Sequence, residues 1–332
     1  MKILVTGATG FLGRHVVRAL LKRNHQVRAL VRPGTAESPF GGDSPVELFC
    51  SDLRGSADLL PAFDGVDVVI HLAAVVCGSD DAQLAGTVAG TERLLEAMSR
   101  STTRRLVLAS TLSVYDWSAP WFSLTEDTPL ESRARLYRRD GYAISKTWQE
   151  RIVRRVAESQ SWNLIVLRPG FIWGPGRAWC ISAGIDLGRF RLINGPLRRL
   201  PLTHVNNCAE AFALAAEKTE TQTSTLNVID TEVVRAWRFA TDHQKASREK
   251  RSLIPVPYHL WICITYLAAM TGRVLFGINC RLPTVLNPLR YRAMFRGLRF
   301  PNHRISEQLC WKPGLDYEAC VKQSHGSEKN CV

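Results

Sequence analysis

The first thirteen residues constrain the fold of this chain more than any other segment. Lys2–Thr6 (KILVT) reads as a strand buried in a parallel sheet, and the turn TGATGFLG follows at residues 6–13 before a helical pattern begins. Gly7 permits a tight turn, Gly10 lets the backbone approach a pyrophosphate, and Gly13 allows helix and strand to pack closely. The spacing is G-x-x-G-x-x-G rather than G-x-G-x-x-G, but its place between a first strand and a first helix predicts a dinucleotide-binding βαβ unit.

Strand and helix patterns alternate after this turn. Short apolar runs predict strands at Gln26–Val31, Val46–Cys50, Val66–Leu72, Arg105–Ser110, Asn163–Leu167 and Thr225–Ile229. Amphipathic spacing predicts helices at Phe11–Arg23, Ala82–Arg100, Tyr142–Glu158 and Asn207–Lys218. Pro33–Pro45 and Leu112–Asp140 are predicted to be irregular, and beyond Asp230 we expect helices without strand alternation. Alternation of this kind is typical of an α/β fold with a parallel sheet.

The charge balance favours anionic partners. The 332 residues include 43 Lys/Arg and 30 Asp/Glu, a formal net charge of +13, and residues 231–332 hold 16 of the former and only 7 of the latter. Phosphorylated cofactors, acidic substrates, anionic lipid and nucleic acid all fit such an excess. The basic residues lack an aromatic-interleaved recognition motif, so we predict no nucleic-acid partner. A content of 45% hydrophobic residues excludes wholesale disorder.

Cysteine usage and the N-terminal sequence bear on the compartment. The nine cysteines are scattered and form no C-x-x-C pair, so we predict neither a disulfide framework nor a metal site. Gly7 interrupts the first apolar run too early for a signal peptide. These features predict a reducing, cytoplasmic location.

The residues after the second and third strands bear on the type of dinucleotide. An acidic residue there would bind a ribose 2′-hydroxyl, but Arg32 stands there instead, and its guanidinium can pair with a 2′-phosphate. We therefore predict NADP in preference to NAD, while a solvated strand end is the alternative for Arg32. Arg28 is a second candidate, and Asp52 is placed to meet the adenine amino group.

Tyr142-Ala-Ile-Ser-Lys146 is the second chemical signal. Residues four apart share a helix face, so the phenol and the ammonium can converge, and a lysine cation lowers the pKa of a phenol. Thr111 follows the fifth strand, where ligands bind in open parallel sheets, and Ser110 and Ser113 are its rivals. Each hydroxyl could instead cap a local turn.

These motifs together resemble the extended branch of the short-chain dehydrogenase/reductase superfamily. The resemblance covers residues 1–230 and returns near Ile305–Pro313. Its motifs are TGATGFLG at 6–13, HLAA at 71–74, LASTLSVY at 108–115, YAISK at 142–146, LRPGFIWGPG at 167–176 and HVNNCAEAF at 204–212. Two departures are Thr87 in place of the Asn of an N-V-x-G-T stretch, and Asp116 in place of a glycine.

The resemblance implies a Rossmann-type, doubly wound parallel sheet with a smaller, mostly helical C-terminal region. The dinucleotide-binding domain would cover 1–168, and the substrate-binding region 169–332, with 206–230 returning to the core. The implied catalytic residues are Thr111, Tyr142 and Lys146, with Tyr142 as acid or base. The implied cofactor-binding residues are Gly7, Thr9, Gly10, Phe11, Leu12, Gly13, Arg32, Asp52, Leu53, Leu72, Ala73, Ala74, Tyr142, Lys146, Pro169, Gly170 and Phe171.

The branch of the superfamily bears on the substrate. Nucleotide-sugar epimerases and dehydratases usually place an Asn where Gly170 stands, whereas L-R-P-G-x-I-x-G-P-G looks more like the 3β-hydroxysteroid dehydrogenase branch. The resemblance thus implies an NAD(P)-dependent oxidoreductase that interconverts a secondary alcohol and a ketone on a lipophilic, steroid-like small molecule. A nucleotide-sugar epimerase or dehydratase is the alternative. A second alternative is a scaffold that binds the cofactor but has no activity. The presence of all three residues, Thr111, Tyr142 and Lys146, argues against it.

An apolar run near the C-terminus leaves two interpretations open. Tyr258–Met270 (YHLWICITYLAAM) is too short to span a membrane comfortably. We favour a buried helix of the substrate cap, but residues 253–276 could also make peripheral membrane contact beside Arg248, Lys250, Arg251 and Arg273. A homodimer is left open.

Overall fold

The computed structural model describes residues 1–35, 39–41, 44–132, 136, 139–219, 223–277, 282 and 286–326. Its central sheet has seven parallel strands: β1 (Lys2–Thr6), β2 (Gln26–Val31), β3 (Glu47–Cys50), β4 (Val68–His71), β5 (Arg105–Ala109), β6 (Asn163–Pro169) and β11 (Ser224–Val228). The order across this sheet is β3-β2-β1-β4-β5-β6-β11. The strand order reverses between β1 and β4, where a crevice opens at the carboxyl ends. The predicted Rossmann-type fold is confirmed.

Helices cover both faces of the sheet, as its parallel, nearly all-buried strands require. On one face α1 (Phe11–Lys22) and α4 (Val205–Glu217) pack on a core that includes Val5, Val107 and Phe212. On the other, α2 (Asp80–Arg100) and α3 (Gly141–Ser159) pack on a core that includes Leu4 and Val69. The predicted helices therefore exist, within three residues of their predicted ends.

The starts of α2 and α3 are fixed together. The Ser79 side chain accepts a hydrogen bond from the backbone N–H of Ala82, and Asp140 accepts one from Ala143. Asp80 also accepts a hydrogen bond from the backbone N–H of Gly141 at 2.9 Å. The first turn of α3, which carries Tyr142, is thereby held against the first turn of α2.

The C-terminal half corrects one prediction. The short strands β7 (Phe171–Trp173) and β10 (Leu202–His204) pair with each other, and β8 (Ile185–Leu187), β9 (Phe190–Asn194) and β12 (Ser252–Val256) form a second small sheet. The expectation of no strand beyond Asp230 is therefore wrong. The remaining elements are α5 (Ala236–Ser247), α6 (Tyr258–Phe276), α7 (Pro288–Phe295), α8 (His303–Leu309) and α9 (Tyr317–Gly326). The domain division at residue 168 stays a prediction.

The apolar run at Tyr258–Met270 is a helix, but it is not a buried one. Among the residues of α6 whose burial the structure describes, Thr265 and Gly272 are the only buried ones, while Leu267 is 61% and Val274 is 84% exposed. The favoured interpretation of this run as a buried cap helix is therefore wrong.

Candidate active site

The glycine-rich turn has the geometry that a diphosphate needs. Gly7 has a positive φ of 69°, and a Cβ there would lie 2.8 Å from the backbone nitrogen of Ala73. A Cβ on Gly13 would lie 2.1 Å from the carbonyl oxygen of Gly7, so α1 begins directly against the turn. A Cβ on Gly10 would lie 3.2 Å from that same carbonyl, which is a tight contact. Gly10 is exposed, so the absence of a side chain also leaves its backbone open to a close approach by a ligand.

The N-terminus of α1 lies at this turn without a side-chain cap. Gly10 is the N-cap residue, and among the described residues no side chain accepts a hydrogen bond from the first turn of α1. Free backbone N–H groups and the positive end of the helix dipole attract phosphate oxygens. Thr9, Phe11 and Leu12 are half-buried around this opening. The residues present fit a dinucleotide.

The two arginines considered as partners for a 2′-phosphate have different surroundings in the structure. Arg32 is exposed there, and its charge contributes to lowering the pKa of Asp52, for which a hydrogen bond from Arg54 is the largest cause. Arg28 is 6% exposed, pairs with Glu47 and donates to the carbonyl of Ala62 at 2.8 Å. Arg28 therefore holds β2 in place, and Arg32 is the cation that remains available to a phosphate.

The other predicted cofactor residues lie along the same edge of the sheet. Leu72, Ala73 and Ala74 follow β4 and are half-buried beside the glycine turn. Leu53 follows β3 and lies over Gly90 of α2, where a Cβ on the glycine would come within 3.2 Å of the Leu53 Cβ. This edge is where dinucleotides bind in doubly wound sheets.

Thr111 and Tyr142 lie close together. Tyr142, in the first turn of α3, is half-buried, and α3 packs against the short turn that Thr111 begins after β5. Burial raises the pKa of Tyr142, and the Thr111 hydroxyl and the charge of Arg177 lower it by less. The catalytic roles of both residues stay a prediction. Thr111 also accepts a hydrogen bond from the backbone N–H of Ser113 at 3.2 Å, so the turn-capping interpretation of this hydroxyl holds as well.

Lys146 lies one turn further along α3 and is directed into the protein. Its Nζ donates to the backbone carbonyl of Ala109, at the end of β5, and to Oε1 of Gln149 at 2.5 Å. Burial lowers the pKa of Lys146 to about 7. The predicted effect of this lysine on Tyr142 stays a prediction.

A buried polar network behind Lys146 was missed by the sequence analysis. The Nε2 of Gln149 donates to Thr91 at 2.8 Å, and the two nitrogens of His71 lie 2.6 Å from Oγ1 of Thr6 and 2.9 Å from Oγ1 of Thr91. Burial lowers the pKa of His71 to about 3, so the imidazole is neutral. The network ties the ends of β1 and β4 to α2 and α3. The spacing of Lys146 and Gln149, three residues apart on one helix, was the signal that could have found it.

A second buried cluster assigns Ser110 a different role from Thr111. Ser110 donates to Oε2 of Glu150 at 2.5 Å, and Arg168 of β6 donates to the same oxygen at 3.1 Å. The Arg168 guanidinium lies 4.4 Å from the ring centroid of Tyr115. Ser110 is therefore engaged behind the site. The other rival, Ser113, accepts a hydrogen bond from the Thr111 hydroxyl at 3.4 Å and so lies beside it.

The packing of the segment after β6 explains why residue 170 is a glycine. Pro169 is buried, Phe171 is half-buried, and Gly170 donates its N–H to the carbonyl of Val228 at 3.1 Å. A Cβ on Gly170 would lie 2.2 Å from the carbonyl oxygen of Pro201. Any larger residue here would displace that backbone.

Arg198 is a buried cation in the C-terminal half. It is 8% exposed, donates to the carbonyl of Asn194 at 2.7 Å and lies 5.3 Å from the ring centroid of Phe295 on α7. None of the ion pairs among the described residues includes it, and burial lowers its pKa to about 10.

A cavity of about 570 Å³ lies apart from these residues. Trp173, Asp230, Lys312 and Tyr317 are among the residues that line it, between the end of β11 and the C-terminal segment. Burial raises the pKa of Asp230 to about 7. In the described part of the chain, no group of three or more His, Cys, Asp or Glu side chains is placed to hold a metal ion.

A family model and curated relatives match the residues just described. The model of the NAD dependent epimerase/dehydratase family matches residues 3–228. A 4-hydroxy-2-methyl-3-oxo-4-farnesyl-3,4-dihydroquinoline-1-oxide ketoreductase of Stigmatella aurantiaca is 32% identical over 66% of this chain and 65% of its own. A 2-alkyl-3-oxoalkanoate reductase of Stenotrophomonas maltophilia is 34% identical over 65% of this chain and 66% of its own. The chain therefore spans about two thirds of the length of these relatives.

A longer match and two solved structures complete the comparison. A decarboxylating sterol-4-alpha-carboxylate 3-dehydrogenase of Mus musculus is 26% identical over 87% of this chain and 80% of its own. The UDP-glucose 4-epimerase of Thermus thermophilus, solved with NAD, has a TM-score of 0.71 at 21% identity and covers all of both chains. That of Bifidobacterium longum, solved with NAD and UDP, has a TM-score of 0.73 at 18% identity over 99% of each chain. These two structures share the fold.

Proposed function

Because this chain belongs to the NAD dependent epimerase/dehydratase family, we propose that it is an NAD(P)-dependent oxidoreductase that interconverts a ketone and a secondary alcohol on a lipophilic, steroid-like substrate. The observation that carries this proposal is geometric: Thr111 begins the turn directly after β5, Tyr142 lies in the first turn of α3, and α3 packs against that turn at the carboxyl edge of the sheet. A half-buried phenol with a hydroxyl partner suits a substrate oxygen that gains or loses a proton.

Each catalytic side chain has one task in this mechanism. Thr111 holds the substrate oxygen by a hydrogen bond, and the Tyr142 hydroxyl gives that oxygen a proton during reduction or takes it during oxidation. A bound nicotinamide supplies the hydride to the ketone carbon or accepts it from the alcohol carbon. Lys146, with Gln149 and His71 behind it, would bind the nicotinamide ribose. Gly7, Gly10 and Gly13 would hold the diphosphate.

Gly170 and its neighbours favour this substrate class over a nucleotide sugar. The segment Pro169–Ile172 carries no amide side chain, and the carbonyl of Pro201 fills the space that a side chain at 170 would need. The Asn that nucleotide-sugar epimerases and dehydratases usually place at this position therefore has neither a counterpart nor space here.

The buried position of Arg198 favours a substrate that carries an acidic group. A buried cation without a carboxylate partner among the described residues is stabilised when an anion binds to it. The names of two relatives contain a carboxylate next to the reacting ketone or alcohol, an oxoalkanoate and a sterol-4-alpha-carboxylate. A lipophilic 3-oxo acid and its methyl ester test this: we expect the acid to have the lower KM, and Arg198→Met to remove the difference.

The experiment that tests the reaction class follows the absorbance of the nicotinamide. With a panel of lipophilic ketones and reduced cofactor, we expect a net loss of absorbance in proportion to substrate consumed. An epimerase regenerates its cofactor in each turnover, so a UDP-sugar that is converted with no net change would establish the alternative.

For the cofactor we propose NADP. Replacing Arg32 with Ala is expected to weaken NADP binding about tenfold and NAD binding less than about twofold, because only NADP carries the 2′-phosphate. Calorimetry with both cofactors measures this. Lys22→Ala, an exposed cation on α1, is the control. Equal losses for the two cofactors would refute the assignment.

A further inference from the structure

Helix α6 leaves most of its large aliphatic side chains exposed to solvent. Thr265 and Gly272 are its buried residues, in the described part of the helix. The apolar side chains exposed to solvent, at fractions from 37% to 84%, are Leu260, Ile264, Leu267, Met270, Val274 and Leu275. Single exposed apolar residues scattered over a surface are ordinary, but a contiguous set of six on one helix is not.

These side chains form one continuous face. They recur at spacings of three and four residues, which is the spacing of a single helix stripe. Cys263 and Thr271 complete the stripe, so it carries no charge from Leu260 to Leu275. At 1.5 Å per residue the apolar face is about 22 Å long.

The sequence on both sides of this helix is rich in positive charge, and the structure places two of its arginines at α6. Residues 248–296 contain eight Lys/Arg and one Glu, a large part of the excess of the whole chain. Arg273 lies on α6 beside the apolar stripe, and Arg292 of α7 donates to the hydroxyl of Tyr266 on α6 at 2.7 Å. An anionic surface complements such a border, whereas two copies of this chain face to face would bring like charges together.

We propose that α6 lies in the surface of an anionic lipid bilayer, with the stripe from Leu260 to Leu275 in the boundary of the acyl chains and the neighbouring arginines at the headgroups. No helix within the described residues is long and apolar enough to cross a membrane. An apolar face with a basic border is the pattern of a helix that lies along the membrane plane.

The contacts of α6 lead to the catalytic helix. Tyr258 of α6 stacks on Tyr291 of α7, with ring centroids 5.6 Å apart. Arg290 of α7 donates to the carbonyl of Arg139 at 3.0 Å and lies 3.6 Å from Asp80, which holds the first turn of α3. A bilayer on α6 would therefore lie two packed elements from Tyr142. That a lipophilic substrate enters from the bilayer rests on the proposed function; the membrane contact itself does not.

Flotation of the purified full chain with vesicles tests the contact. One set of vesicles contains equal parts of phosphatidylcholine and phosphatidylglycerol, and the other contains phosphatidylcholine alone. We expect the protein to float with the anionic set, and its partition coefficient to fall about tenfold or more with neutral vesicles or high salt.

Two matched substitutions locate the contact. Val274→Glu puts a charge on the stripe and should lower the partition coefficient about tenfold. Val233→Glu places the same charge at another exposed valine, 54% exposed in the loop before α5, and should change it less than about twofold. Urea unfolding confirms that both variants fold. Because no turnover is measured, a failure of the proposed function leaves this result unaffected.

Three results would overturn the proposal. The first is that the wild-type chain fails to float with anionic vesicles. The second is that the two valine variants float equally well with them. Alternatively, sedimentation shows a wild-type dimer that Val274→Glu makes monomeric without any vesicle binding, in which case a second copy covers the stripe.

Discussion

Helices α3 and α6 are both 19 residues long and distribute their side chains in opposite ways. Helix α3 buries Lys146, Gln149 and Glu150, three side chains that usually stay in water. Helix α6 exposes leucine, methionine and valine side chains, which are usually buried away from water. Each reversal has an unfavourable free energy unless something compensates for it. On α3 the compensation lies within the protein, as hydrogen bonds and ion pairs to the buried polar side chains. On α6 no described residue covers the apolar face, so the compensating contact must come from another molecule.

Tyr142→Phe should have the largest effect, because it removes the group on α3 to which the proposed mechanism assigns the proton transfer. We expect kcat to fall by a factor of about 10² to 10⁴, the contribution typical of a positioned acid or base. Calorimetry should find cofactor affinity within about twofold of wild type, since the phenol oxygen alone is lost. Full activity in this variant would remove Tyr142 from the mechanism and leave α3 a structural helix with cofactor contacts.

Glu150→Gln tests whether the buried charges of α3 are compensated internally. Glu150 has no exposed surface, and its loss leaves the guanidinium of Arg168 buried without a carboxylate. Breaking such a pair lowers the free energy of unfolding by about 3–5 kcal/mol. Urea denaturation measures it, and Glu158→Gln, at the exposed end of the same helix, should change stability by less than about 0.5 kcal/mol. Equal effects would show that the Glu150 cluster is not a buried ion pair in solution.

Lys146 gives α3 a pH dependence whose sign follows from its burial. Burial lowers its pKa to about 7 in the folded chain, from 10.5 for a lysine that is exposed to water. Between these values the unfolded chain holds one more proton than the folded chain, so stability rises with pH at up to about 1.4 kcal/mol per pH unit. Below pH 7 both states are protonated and this group adds no slope.

The difference between wild type and Lys146→Met isolates that slope from the other titrating groups. The free energy of unfolding of the wild type, relative to the variant, should increase from pH 7 to pH 10. Parallel curves for the two proteins over this range would mean that Lys146 keeps its charge through further contacts.

The sequence predicted the parts of this site that depend on local order. The glycine turn follows its strand directly, and Tyr142 and Lys146 lie one turn apart on a helix, so short spacings sufficed. The pairing of Glu150 with Arg168 was not predictable, because it depends on β6 lying beside α3. Strand β12 was missed because Pro255 weakens its pattern; it forms at an edge of its sheet, where proline is tolerated. For α6 the apolar composition was clear, but which face the fold leaves uncovered was not.

The smallest expected effect is the sharpest test of the contrast between the two helices. Leu94 on α2 has no exposed surface, whereas Leu267 on α6 is 61% exposed. Leu94→Ala should lower the free energy of unfolding by about 2–5 kcal/mol, through lost burial and a cavity. Leu267→Ala should lower it by less than about 0.5 kcal/mol in the absence of lipid, because in the folded chain that side chain is already mostly in water. If urea denaturation instead gives Leu267→Ala a loss above about 2 kcal/mol that depends on protein concentration, the outer face of α6 is packed in an oligomer, and its compensation comes from a second copy of the chain rather than from a membrane.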